Sequence, residues 1–350
     1  MTPEPSTVTV ADLGEQLLLQ RLQAFCPSDL VGDDAAVLST PPSEDLVVTT
    51  DLLVDGVHFS LGLATPEVNT TPPWDAGWRA AAANLSDLAA MGATPLGMTV
   101  GLGLPGHLPV TWLEQLYQGL TACLQPYHTP IVGGDICRSS VTTLAITAFG
   151  TVAPTQVIRR SQAQIGDAIV VTGVHGAARA GLELLLHPDV AATLPASRRS
   201  QLITAHQRPI PRLDVLPLLW RSLAAAAPER QAMVAGMDSS DGLADAVLQI
   251  CRASGVGACL DRLAIPIPPD LCPWVTPEQA MEWALYGGED FELVLCLPAS
   301  VAHHFVTQLG AGAAVIGEIL AGTGVSLIDP TGHLPVQCLS LGRGYQHFPH

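Results

Sequence analysis

Seven aspartates stand out by their surroundings: Asp33, Asp34, Asp51, Asp87, Asp135, Asp238 and Asp241 mostly lie beside glycine or at the ends of apolar segments, not on solvated faces. Taken singly, an aspartate next to glycine is a turn residue or a helix cap. Taken together, they form a set of oxygen donors on separate elements, and carboxylates that converge need a cation to offset their repulsion. Hard oxygen ligands select magnesium, calcium or manganese. Thr49 and Thr50, just before Asp51, add hydroxyl or carbonyl oxygens. Magnesium keeps waters and bridges single carboxylates to substrate phosphates, so phosphoryl transfer is the reaction class that fits. In that chemistry the barrier falls through alignment and charge neutralisation. A phosphate monoester acceptor, with a second pKa of about 6, is already largely ionised at neutral pH and needs no general base.

Gly133-Gly134-Asp135 and Gly287-Gly288-Glu289-Asp290 permit close backbone approach to a ligand, and each is equally compatible with a tight turn. Arg160 lies in a polar stretch where it could meet a nucleotide phosphate, although a surface arginine is the commoner reading. His58 sits in VDGVHF with no second histidine at HxxxH or HxH spacing, which leaves an organic ligand or simple packing as its role, not a transition metal.

All 15 basic residues are arginines and the chain contains no lysine. A Walker P-loop requires its GK[ST] lysine and a protein kinase its strand lysine, so both designs are excluded, as is a lysine Schiff base. If the chain handles ATP, metal ions and arginines must neutralise the phosphates. A formal net charge of −17 disfavours nucleic acid and anionic membranes as partners. The 350 residues, 48% of them hydrophobic, suit two domains. The best apolar region is broken by Gly92, Pro95, Gly97, Gly101, Gly103 and Pro105, the start MTPEPSTVTV lacks the pattern of an export signal, and a cytosolic protein is expected. The eight cysteines form no CxxC pair and read as buried or incidental thiols.

The elements that must carry these residues follow from periodicity. Leu13, Leu17, Leu18, Leu22 and Phe25 predict an amphipathic helix over 10–25. LVVTT (46–50) predicts a strand that ends at Asp51, and the alanine-rich 75–91 a helix with Asn84 and Asp87 near one face. Strands are expected at 97–104, 130–135 and 141–152, with a helix from Pro109 whose stripe is Leu113, Leu116, Tyr117, Leu120 and Leu124. Residues 153–167 read as the link between halves. A strand at 167–173 and a helix through Leu182, Leu185 and Leu186 follow, and 233–243 carries a strand through an acidic turn into a helix that ends near Gly255. The mixture predicts an α/β (α+β) fold of two domains, 1–152 and 153–350, with mixed or antiparallel sheets.

The segments GDDAAVL (32–38), TTDLLVDGVHF (49–59), NLSDLAAMGATP (84–95), GGD (133–135), DSSDGL (238–243) and GGEDFEL (287–293) resemble the thiamine-monophosphate kinases in order and spacing along almost the entire chain. The resemblance implies the fold shared with aminoimidazole ribonucleotide synthetase and selenophosphate synthetase. In that fold an N-terminal mixed-sheet domain dimerises, a sandwich-like C-terminal α/β domain completes the site, and ATP lies in a cleft without a P-loop. It implies transfer of the ATP γ-phosphoryl group to thiamine monophosphate by a homodimer. By the same likeness, several magnesium ions are held by Asp34, Thr49, Thr50, Asp51, Asp87, Asp135, Asp238 and Asp241. Tyr117, Gly134, Asp135, Arg160 and Ser240 match positions that touch ATP, and His58, Glu289 and Tyr345 those that touch the thiamine phosphate. An aromatic face and a carboxylate suit a cationic thiazolium ring.

Three segments depart from the pattern. Ser239 stands where Ile or Leu is usual, LATPEVNTTPPWD (63–75) is longer than usual, and GVHGAARAG (173–181) lacks a common aspartate. Rival readings are a sister synthetase, a binder of thiamine phosphates or metal without turnover, and a metal-dependent phosphatase. The VHF and GYQHF motifs speak against the first, and the cost of gathering so many like charges speaks against the second.

Overall fold

Glycines at two helix–helix contacts set the packing of the N-terminal region. Helix α1 (Val10–Leu13) is capped by Thr9, which exchanges hydrogen bonds with Asp12. Gly14, with φ 75°, then separates it from α2 (Glu15–Gln23), so the helix expected over 10–25 is two pieces. Only Leu18 and Leu22 of its stripe are buried, and Leu17 is 54% exposed. Strand β1 (Asp45–Val54) is followed by α3 (Pro73–Ala90), β2 (Thr94–Leu104), α4 (Val110–Leu124), β3 (Ile131–Arg138) and β4 (Thr143–Val152). In this computed structural model, residues 8–28, 30, 35–36, 38–62, 69–190, 194–271, 274–310 and 312–344 are described.

The four strands form one sheet in the order β1-β4-β2-β3, with β2 and β3 parallel. Asp51 and Asp135 were expected at strand ends, yet both lie within strands, because β1 continues to Val54 and β3 to Arg138. The stripe predicted for α4 is buried as a whole. A Cβ at Gly77 of α3 would lie 1.9 Å from Leu116 O, and one at Gly119 of α4 would lie 1.8 Å from Trp74 O. The two helices therefore touch backbone to backbone, and only glycine fits at either position.

The second sheet uses β5 (Asp167–Val171), β6 (Ala235–Asp238), β7 (Gly257–Asp261), β8 (Leu293–Pro298), β9 (Ala314–Leu320), β10 (Val325–Ile328) and β11 (Gln337–Cys338). Its order is β11-β10-β7-β9-β5-β8-β6. β7 and β10 are parallel and every other neighbouring pair is antiparallel, so the sheet is mixed as expected. Between these strands run α5 (Ala177–Leu186), α6 (Ala196–Gln207), α7 (Leu216–Ala226), α8 (Leu243–Ser254), α9 (Pro277–Tyr286) and α10 (Ala299–Leu309). Strand β5 is buried along its whole length, as a central strand covered on both faces must be. α8 turns Leu243, Ala246, Val247 and Ile250 into the core formed with Ile169, Met237 and Val294, and ends at the left-handed Gly255. On α5 the expected stripe fails: Ala177, Ala178, Ala180, Gly181 and Leu184 are buried, while Leu186 is exposed. The reason is close approach, since small residues let α6 pack against α5.

By contacts the chain divides into two units: residues 1–42, 46–85 and 95–151, and residues 43–45, 86–94 and 152–350. Ser86 and Asp87, on the last turns of α3, thus fall in the second. Among the described residues, no helix is long and apolar enough to cross a membrane. Gly119→Val should lower stability by on the order of 3 kcal/mol, read as a lower denaturant midpoint. An unchanged midpoint would show that the helix contact is dispensable.

Candidate functional site

In the first unit the candidate ligands sit on two strands. Along β1, Thr49 and Asp51 are half-buried and the intervening Thr50 is exposed, as alternation requires. Thr50 Oγ1 lies 2.9 Å from Thr147 Oγ1 on the neighbouring β4. In the turn that follows, buried Asp55 accepts the Leu61 N–H at 2.9 Å. His58 accepts the Val54 N–H on Nδ1 at 3.0 Å, so its ring is held in place with the proton on Nε2. Gly134 and Asp135 are exposed on β3. A Cβ at Gly134 would lie 2.1 Å from Val100 O, which accounts for the glycine on packing grounds alone.

A pocket of about 140 Å³ opens in this unit, and Tyr117, Gly134 and Asp135 all line it together with Leu22, Cys26 and Val100. Three of the five positions expected to touch ATP thus share one cavity. Tyr117 is buried against Phe25, ring centroids 5.4 Å apart, and burial pushes its hydroxyl pKa up. Asp34 and Tyr345 lie outside the described residues.

In the second unit Asp238 ends β6 and is almost wholly buried. Ser86 Oγ donates to its Oδ2 at 2.7 Å and Ser240 Oγ to its Oδ1 at 3.0 Å. Burial raises the Asp238 pKa, the two serines work against that, and the neighbouring Asp241 raises it further. Asp87 is half-buried on α3 and Asp241 is exposed beside the turn. Arg160 is exposed, and its carbonyl accepts the Ser254 hydroxyl at 2.9 Å. Asp245, absent from the sequence reading, stands on the first turn of α8; burial raises its pKa, while Arg160 lowers it and Asp238 raises it. Its place in the first turn of the helix that follows the DSSDG segment was the available signal.

The segment around Glu289 is backbone-strained. Gly288, Glu289 and Phe291 have φ of 67°, 63° and 53°, and the last two are not glycine. Glu289 N–H donates to Ser240 O at 2.7 Å, Ser239 N–H to Glu292 O at 2.9 Å, and Glu292 N–H to Ser239 Oγ at 3.2 Å, so this segment is tied to the DSSDG turn. Asp290 accepts the Gly176 and Ala178 N–H groups at the start of α5, at 2.7 and 2.9 Å, while burial pushes its pKa up to about 7. Glu292 pairs with Arg212 and accepts the Thr172 hydroxyl. Ser86, Glu292 and Arg212 were not singled out from sequence, and Asp290 only as part of a glycine-rich segment, because their roles depend on partners remote in the chain.

Ser239 finds its partner in the 173–181 turn, while nothing in the structure explains the missing aspartate there. His175 is fully buried, and its Nε2 lies 3.1 Å from Ser239 Oγ. A hydroxyl at 239 therefore gives a buried imidazole its partner, which Ile or Leu could not.

Among the described residues, no three His, Cys, Asp or Glu side chains gather into a ready-made metal cage. Magnesium does not require one, since it binds through one or two carboxylates plus water and substrate phosphate. The mutual repulsion of Asp238 and Asp241 is what a divalent cation would relieve, so this pair of carboxylates fits that ion.

Two family models match the chain in succession: AIR synthase related protein, N-terminal domain, over residues 32–152, and AIR synthase related protein, C-terminal domain, over 164–330. The thiamine-monophosphate kinase of Synechococcus elongatus is 53% identical over 97% of this chain and 98% of that protein. Among solved structures, the thiamine-monophosphate kinase from Stenotrophomonas maltophilia K279a superposes with a TM-score of 0.74 at 35% identity, covering 89% of this chain and 95% of that one. AaThiL complexed with AMPPCP and TMP gives 0.69 at 28% identity, covering 95% and 99%. The chain belongs to the AIR synthase related family and, within it, to the thiamine-monophosphate kinases.

Burial lowers the His175 pKa from 6.5 to about 4. The unfolded chain thus takes up this proton first, and the stability from burying the neutral ring is present above pH 6.5 and lost as pH falls toward 4. Over that window the wild type should lose on the order of 3 kcal/mol more stability than His175→Leu, measured by denaturant unfolding at each pH. Parallel curves would mean that His175 does not titrate in this way.

Proposed function

We infer that this chain is an ATP-dependent kinase whose acceptor is the phosphate of thiamine monophosphate, giving thiamine diphosphate and ADP. The observation that carries this is the 53% identity to a thiamine-monophosphate kinase along 97% of the chain, which includes both domains. A relative complexed with AMPPCP and TMP supports the pairing of an ATP analogue with this substrate.

In our reading, residues 1–152 bind metal and ATP and form the dimer, and residues 153–350 complete the ATP and substrate sites. Magnesium would be held by Asp34, Thr49, Thr50, Asp51, Asp87, Asp135, Asp238 and Asp241, and when bound it supplies positive charge to the transferring phosphate. The pocket around Tyr117, Gly134 and Asp135 takes part of the nucleotide, with Arg160 and Ser240 as further contacts. Arg160 supplies fixed positive charge in place of the missing lysine. Glu289 faces the cationic ring, and His58, with Nε2–H as donor, and Tyr345 complete the substrate contacts. The acceptor phosphate is its own nucleophile, so no side chain must remove a proton. For the homodimer, the support is β1, a strand at the edge of its sheet, where Leu46, Val48 and Leu52 are 56%, 53% and 58% exposed on one face. A kinase of this kind works where ATP is abundant, which places it in the cytoplasm.

An assay of ADP release coupled to chromatography of thiamine diphosphate should show product only when ATP, magnesium and thiamine monophosphate are all present. ADP formed only with another acceptor would move the activity to a sister enzyme, phosphate release without ATP would make it a phosphatase, and binding without turnover a sensor. Asp87→Asn should reduce kcat by at least about 100-fold with an unchanged melting temperature. Near-normal turnover would remove Asp87 from the magnesium set.

A further inference from the structure

Glu289 is held in an unusual way. Its backbone is left-handed although it carries a side chain, and that conformation persists only where the surroundings over-determine it. A chain of fixed contacts does so. Glu289 N–H is anchored on Ser240 O, and the next residue, Asp290, holds the first N–H groups of α5. α5 in turn holds α6, because a Cβ at Gly181 would lie 2.1 Å from Leu202 O and 2.9 Å from His206 Cβ. α6 then returns to the starting point: His206, with its side chain 4% exposed, places Nδ1 3.2 Å from Glu289 Oε2. The Glu289 side chain itself remains 32% exposed. A buried imidazole thus grips one oxygen of a carboxylate that still faces outward.

We propose that His206 is a positioning residue that sets the orientation of the Glu289 carboxylate toward the cationic ring of thiamine monophosphate. The inference rests on the reading of Glu289 as a substrate contact. A glutamate side chain has three rotatable bonds, and ordering them costs free energy that substrate binding would otherwise have to supply. His206 removes part of that cost beforehand through a charge-assisted hydrogen bond. Because the effect is on binding the ring and not on phosphoryl transfer, it appears in KM for thiamine monophosphate and leaves kcat and KM for ATP alone.

The test is steady-state kinetics of the full chain with ATP and thiamine monophosphate for the wild type, His206→Leu, His206→Asn, Glu289→Gln and the His206→Leu/Glu289→Gln double variant. The Asn variant keeps an N–H donor close to the position of Nδ1. His206→Leu should raise KM for thiamine monophosphate roughly tenfold, with kcat and KM for ATP within about twofold. His206→Asn should recover most of the loss, and the double variant should be no worse than Glu289→Gln. If His206→Leu does not fold, His206→Asn compared with His206→Ala carries the same expectation. An unchanged KM in a folded His206→Leu, an Asn variant no better than Leu, or effects that multiply in the double variant would overturn the proposal while leaving Glu289 a substrate contact. A normal KM in Glu289→Gln would overturn the assignment of Glu289 itself, and the role of His206 with it.

Discussion

Past the last β6–β8 pair, Asp238 opposite Leu293, the ladder runs one step further: Ser239 N–H reaches Glu292 O, and Glu292 N–H returns to the Ser239 side chain. Much of the candidate site in the second unit hangs from this step. It fixes where β6 stops, and therefore where the Asp238 carboxylate points, with Ser86 and Ser240 on its two oxygens. It also holds the strained turn at Gly288–Phe291 against Ser240, where a Cβ at Gly288 would meet Ser240 O at 2.7 Å. Strain in a turn survives only if neighbouring bonds over-determine it, and here the DSSDG segment supplies them.

A second constraint is charge. The chain carries a net −17 without a single lysine, so its buried carboxylates must find other partners. Four in the second unit each take a different one: Asp167 both oxygens on Arg230, Glu292 the pair of Arg212 and Thr172, Asp290 the backbone of α5, Asp238 two serine hydroxyls. The first two are neutralised by arginine and the third by the positive end of a helix. Asp238 is balanced by two neutral hydroxyls and the Ser240 backbone, with Asp241 as an unfavourable neighbour. A cation would offset that repulsion, whereas Asp167 and Glu292 are already paired with arginine.

Much of the fold was legible because its signals are local. The α4 stripe and the strand–turn–helix through Asp238 and Gly255 follow from spacing within one element, and the mixed sheet from the alternation of strands and helices along the chain. The misreadings share a cause. On α5 the leucines suggested the buried face, but backbone contact with α6 at Gly181 selected the small residues instead. Asp51 and Asp135 looked like strand ends because a carboxylate is a poor strand residue, yet their strands continue for three further residues each, to Val54 and Arg138.

By itself, the sequence determined the reaction class and its type of site: single aspartates on separate elements, an ATP-handling design without lysine, and motifs in the order of one kinase family. Those are matters of residue chemistry and spacing, which need no coordinates. Only the tertiary structure decided which side chains hold the others in place. Ser86 lies 152 residues from Asp238, Ser239 lies 64 from His175, and Asp290 lies 114 from Gly176, and no periodicity links residues so far apart. Ser239, a departure from the family pattern, and His175 are one hydrogen-bonded pair, and that became visible only when the chain closed on itself.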